Sequence, residues 1–187
     1  LGTESNAAER NLAANPPTVI NANNAGRAVT FGAVDNAGLD GVTVTGGKAG
    51  SGGGVQFDGS GPGCYLDNVT VRENTAEYRG GGVYCLNGTA PSLRACNILR
   101  NRIVPVPPAA PDFGGGIACQ ESSPRLLDCV IAANDGRFGG GVGCVLSSPI
   151  LTNCVISANS ATIPAGGAGG GGIFAHNNSS PILTNCL

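Results

Sequence analysis

The sequence predicts an all-β chain wound as a single-stranded parallel β-helix, a solenoid of roughly five to seven coils. Three observations carry this. First, a glycine run opening onto a short apolar strand recurs five times: GGGVQF from Gly52, GGGVYC from Gly80, GGGIAC from Gly114, GGGVGC from Gly139 and GGGIFA from Gly170. Second, one segment of the repeat has constant length. Leu66 to Asn74, Leu93 to Asn101, Leu126 to Asn134 and Leu151 to Asn159 each span 8 positions. Third, apolar residues alternate over only three to five positions between Gly, Pro and Asn, with no sustained helical period.

The irregularity of the repeat is confined to one place. The apolar residues after the glycine runs, Val55, Val83, Ile117, Val142 and Ile173, are 28, 34, 25 and 31 residues apart. Between each terminal Asn and the next glycine run lie 5, 12, 4 and 10 residues, and without them the steps become 23, 22, 21 and 21. A rigid coil with variable surface loops at one corner reads this way. The longest of these loops are 102–113 and 160–169.

Taken in order, residues 1–17 read as a connecting segment or partial N-terminal cap, and 18–187 as the β-helix, continuing beyond both ends of the chain. The stretches TVINANNAGRAVTF and AGLDGVTVTGG fit the repeat less regularly, with Gly47 standing where later coils have Asn. Each coil should then give one strand after the glycines (Val142 and Cys144 on one face), a second starting near Leu151, and a third carrying Cys154 and Ile156. Glycine and asparagine suit corners that need positive φ in every layer. Asn74, Asn101, Asn134 and Asn159 form a column at fixed offset, where side-chain amides can hydrogen-bond from coil to coil. The other reading of this column is four turn-favouring residues without a ladder.

These motifs resemble right-handed parallel β-helix proteins of the polymorphic outer-membrane-protein-like kind, with GG[IV] repeats and an FxxN form at Phe174–Asn177. The resemblance implies a right-handed coil and a secreted or cell-surface location. It is weak for function, because β-helices serve as adhesins, passenger domains, polysaccharide lyases and glycosidases alike.

Six of the eight cysteines recur at two places in successive coils: Cys85 and Cys96, Cys119 and Cys129, Cys144 and Cys154. One reading is a disulfide within each coil, as suits a secreted protein. The other is two columns of buried thiols, since Cys packs as a small hydrophobe. A zinc site is not indicated, because there is no CxxC and only one His.

Chemistry is sparse. His176 has no Ser or Cys partner pattern and reads as a surface residue. Asp67 and Asp128 read as isolated acids of different coils, not the paired carboxylates that glycoside hydrolysis needs. The glycine run before Ile173 satisfies the dinucleotide-binding pattern GxGxxG only by composition. No catalytic residue, metal ligand or cofactor is therefore expected. A net charge of −2 offers nothing to nucleic acid, and no apolar run is long enough to span a bilayer. Sequons stand at Asn68, Asn87, Asn177 and Asn178. Tyr78, Arg79, Phe113, Arg137 and Phe138 lie just before glycine runs and suggest a ridge that binds glycan or protein, with loops 102–113 and 160–169 beside it. The other reading is that these rings stack on one another and cover the core edge. The expected function is a non-enzymatic, extracellular structural or adhesive surface protein, self-associating head to tail through a coil exposing Ile182, Leu183 and Cys186. The alternative is a carbohydrate-binding or polysaccharide-degrading module.

Overall fold

The computed structural model describes residues 18–106, 112–162 and 169–187; the expected cap at 1–17 lies outside them. The chain winds through three parallel sheets in fixed order, about five turns in all. Sheet I follows the glycines: Val29–Gly32, Val55–Asp58, Val83–Leu86, Ile117–Gln120, Val142–Val145 and Ile173–His176. Sheet II comes next: Gly38–Asp40, Tyr65–Asp67, Ser92–Arg94, Arg125–Leu127, Ile150–Thr152 and Ile182–Thr184. Sheet III precedes the Asn column: Thr18–Asn21, Val42–Thr45, Thr70–Arg72, Asn97–Leu99, Val130–Ala132 and Val155–Ser157. A short sheet IV of Lys48–Ser51, Thr75–Arg79 and Arg102–Ile103 fills the variable corner in the early coils.

The register is the one the repeats dictate. Val55, Val83, Ile117, Val142 and Ile173 are successive partners in sheet I, and Leu66, Leu93, Leu126 and Leu151 in sheet II. Each inward position therefore stacks on its own kind. The result is one continuous core of Val, Leu, Ile, Phe and Cys columns running along the axis. Phe31 lies on Phe57 with ring centroids 4.7 Å apart, a stack that parallel registry imposes on like residues.

The three glycines of a run have two different reasons. Only the first has positive φ: Gly52, Gly80, Gly114, Gly139 and Gly170. The second and third are required by stacking. A Cβ on Gly116 would lie 2.7 Å from the carbonyl oxygen of Gly141 and 2.9 Å from the amide nitrogen of Asn134. Coils approach closely here because no side chain intervenes.

The Asn corner corrects one expectation. The left-handed residue is not the Asn but the one before it, Glu73, Arg100, Ala133 and Ala158, with Gly46 before Gly47. All four of those side chains are poor αL formers, so the corner is held by what the following Asn does.

Candidate functional site

Asn134 shows how. Its side-chain amide donates to Asn159 Oδ1 at 3.0 Å and to the Ile98 carbonyl at 2.8 Å. Its own Oδ1 accepts from the backbone N–H of Asn101 at 2.9 Å and from the Asn101 amide at 3.1 Å. Asn74 and Asn101 make the same pattern, and Gly47, lacking a side chain, donates its N–H to Asn74 Oδ1 at 2.8 Å. All of Asn74, Asn101 and Asn134 are fully buried. Every polar atom of the amide thus has a partner from the coil above or below, and the column is a ladder in geometry.

A second ladder, at the corner between sheets I and II, was not foreseen. Thr89 and Ser122 hydroxyls lie 2.9 Å apart, the Ser122 N–H donates to Ser147 Oγ at 3.0 Å, and the Ser147 N–H donates to Ser179 Oγ at 3.0 Å. The signal was the recurring hydroxyl before proline in TAPS, SSPR, SSPI and SSPI, easily taken for ordinary turn chemistry.

Of the two readings of the cysteines, the structure has the columns of buried thiols. All eight thiols are free. Cys85, Cys119 and Cys144 sit in sheet I, and Cys96, Cys129 and Cys154 at the corner entering sheet III, so a strand of sheet II separates the two members within each coil. The nearer thiol neighbours lie along the columns instead, Cys96 beside Cys129 and Cys129 beside Cys154 in successive coils. Burial pushes the Cys85 thiol well above its ordinary range.

For the residues before the glycine runs, burial favours the reading in which the rings cover the core edge. Phe113 is only 3% exposed and packs with Tyr84 and Ala118 on the outer face of sheet I. Gly143 makes the room, since a Cβ there would meet the Phe113 ring at 2.9 Å. Arg79 lies over the Phe113 ring at 5.5 Å and Arg137 over the Phe138 ring at 5.0 Å. Phe138 continues onto Phe174 at 5.0 Å, and Phe174 onto His176 at 5.8 Å. Tyr78 is half-buried. Phe113 and Phe138 thus belong to a small second core plating sheet I, while Tyr78, Arg79 and Arg137 stay partly exposed at its edge. Asp112, beside them, is fully buried with neither carboxylate oxygen hydrogen-bonded. Burial raises its pKa, while the charges of Arg137 and Arg79 pull it back in part.

The outward face of sheet II is different. There the side chains alternate out of the strands into an open groove of about 630 Å³, lined by Tyr65, Asp67, Ser92, Arg94, Arg125 and Leu127 among others. Tyr65, 40% exposed, lies over Gly38, where a Cβ would collide with its ring. Asp67 is in register with Asp40 on one side and Arg94 on the other. Arg94 pairs with Asp67 at 2.6 Å. Asn68 donates its amide to Asp40 at 3.3 Å, and Asn153 donates to Asp128 at 3.1 Å. Asp67 therefore has a carboxylate in the next coil, unlike the isolated acid expected, but its charge is taken up by Arg94. Among the described residues no group of three His, Cys, Asp or Glu side chains is arranged to hold a metal ion.

Residues 18–187 match the family described as "Right handed beta helix region". The chain belongs to that family. Neither the curated proteins nor the solved structures contain a match to it. Membership fixes the hand of the coil and the parallel stacking seen here. It leaves the narrower polymorphic outer-membrane-protein-like kinship as a resemblance, and it does not choose between structural and carbohydrate-directed roles.

Proposed function

We propose that this right-handed β-helix is part of an extracellular surface protein and that it binds an extended glycan, without cleaving it, along the outer face of sheet II. The observation that carries this is the state of the acids in the groove. A glycosidase needs one carboxyl kept as acid and a second as base or nucleophile across the scissile bond. Asp67 is committed to Arg94 at 2.6 Å and Asp40 accepts from Asn68, so the two in-register acids work as fixed polar contacts. Tyr65 adds an exposed ring on which a sugar face can stack, Ser92 and Arg125 supply donors along the same line, and Thr152 supplies one in the parallel line of Asp67 and Arg94. A repeat of about 4.8 Å per coil presents these groups in a row that suits a linear chain.

The full chain is incubated with a panel of neutral and acidic polysaccharides, and both binding and release of reducing or unsaturated ends are followed. Retention on at least one polysaccharide, weakened by Tyr65→Ala, with no ends released, is the expected result. Turnover that disappears in Asp67→Asn overturns the non-catalytic reading, and absence of binding to every member of the panel overturns the glycan.

A further inference from the structure

Cys85, Cys119 and Cys144 occupy one register position of sheet I, with Phe57 before them and Ala175 after. Cys96, Cys129 and Cys154 each precede one of the register partners Asn97, Val130 and Val155 of sheet III, and Cys186 extends that stack. In the second set each Sγ stands between two acceptors: a carbonyl of the preceding coil (Leu66 at 3.4 Å from Cys96, Leu93 at 3.5 Å from Cys129, Leu126 at 3.8 Å from Cys154) and the carbonyl two residues back in its own coil (Arg94, Leu127 and Thr152, at 3.3–3.4 Å). Excepting Cys186, these thiols are buried in the apolar interior.

Spacing decides what such a stack can do. In-register parallel strands lie about 4.8 Å apart, and their Cβ atoms stand at the same separation. A disulfide draws two Cβ atoms to about 3.8 Å, so bridging successive coils would pull the backbones together by about 1 Å against a close-packed core. A metal held linearly between two sulfurs needs about 4.6 Å, twice a metal–sulfur bond of about 2.3 Å. Strand registry, at about 4.8 Å, matches that length to within a few tenths of an ångström.

We propose that each thiol stack is a site for a two-coordinate, soft monovalent cation, Cu(I) or its redox-inert counterpart Ag(I), held between the sulfurs of successive coils. Thiolate ligands select such ions, whereas zinc requires four ligands arranged around one point, which a linear stack does not supply. The apolar surroundings also set the proton count. A cation with two thiolates would leave a buried negative charge, while one thiolate and one neutral thiol leave none. Binding therefore converts M⁺ and two Cys–SH into a neutral S–M–S(H) unit and releases one proton to solvent, with no change of oxidation state.

The test loads the full reduced chain with Ag(I) in the absence of oxygen, desalts it, and counts retained ions by native mass spectrometry. Cys119→Ala leaves Cys85 and Cys144 two coils apart, beyond the reach of one ion, and is expected to retain one ion fewer than the parent. Cys64→Ala, outside both stacks, retains the parent number. Equal retention by Cys119→Ala and the parent, or no retention by the parent, overturns the proposal. Should Cys119→Ala not fold, the parent answers by residue: alkylation in urea, with and without Ag(I), is expected to find Cys119 protected together with a stack neighbour and Cys64 modified. Equal protection of Cys64 and Cys119 counts against paired sites, as does release of two protons per ion.

Discussion

Two corners of this coil do the same task with different chemistry. At the corner after sheet III, a column of Asn holds the turn; at the corner after sheet I, a column of Thr and Ser does. An amide has two donor hydrogens and a carbonyl, so Asn134 serves the coil above, the coil below and a main-chain carbonyl at once. A hydroxyl has a single donor, so each rung of the second column takes what its neighbour leaves, Ser147 Oγ donating to Val145 and accepting from the Ser122 N–H. The chain-length variation falls at the Asn corner, between Asn101 and Gly114 and between Asn159 and Gly170. The corner with the fuller hydrogen-bond set is thus the one that tolerates loops, because its geometry is settled before the loop begins.

This contrast can be broken at graded positions, read as shifts in urea midpoint. Asn134→Ala strands at least three buried groups, the Asn101 N–H and amide and the Ile98 carbonyl, and is expected to cost about 4 kcal/mol at 1–3 kcal/mol each with partial relaxation. Next comes Gly116→Ala, which forces a Cβ against Gly141 and Asn134, at about 3 kcal/mol; Gly88→Ala, with positive φ but open space, should cost only about 1 kcal/mol. Ser122→Ala removes one rung of the hydroxyl column at about 2 kcal/mol. If Ser122→Ala matches Asn134→Ala, the two corners are equivalent and the comparison fails.

The smallest effect has the opposite sign. Asp112 is a buried acid with its pKa raised, so the folded state holds the proton more firmly than the unfolded state does. Stability contributed by this group falls as pH rises from the ordinary value of 3.8 through the raised folded value, and is level above it. Asp112→Asn is expected to raise the urea midpoint at neutral pH and to leave it nearly unchanged below pH 3.8. A lower midpoint at neutral pH would mean that the charges of Arg137 and Arg79 outweigh burial.

How much of this was legible in the sequence follows from parallel registry. Because every coil sets like residues over like, a repeated letter is a contact, and the Val55, Leu66 and Asn74 columns could be read by counting. The groove could not. Tyr65, Asp67, Arg94 and Arg125 are unlike one another, and only the pleat shows that they share a face. The Phe113 plate was obscured for a related reason: it closes on Gly143, an absence of side chain in a chain already full of glycine. The thiols stayed ambiguous in the sequence because two cysteines per coil suggest a pair within the coil, whereas the nearer neighbour lies one coil along the axis.

The variable corner has an evolutionary consequence. Loop closure entropy grows only slowly with length, each doubling costing about 0.6 kcal/mol. Asn134 and Gly139 bracket the shortest loop in the repeat, and both are fixed from the neighbouring coils. A lineage can therefore insert, lose or exchange whole surface segments at this one edge while the columns behind it stay the same, so that new recognition elements arise by splicing rather than by rebuilding the core.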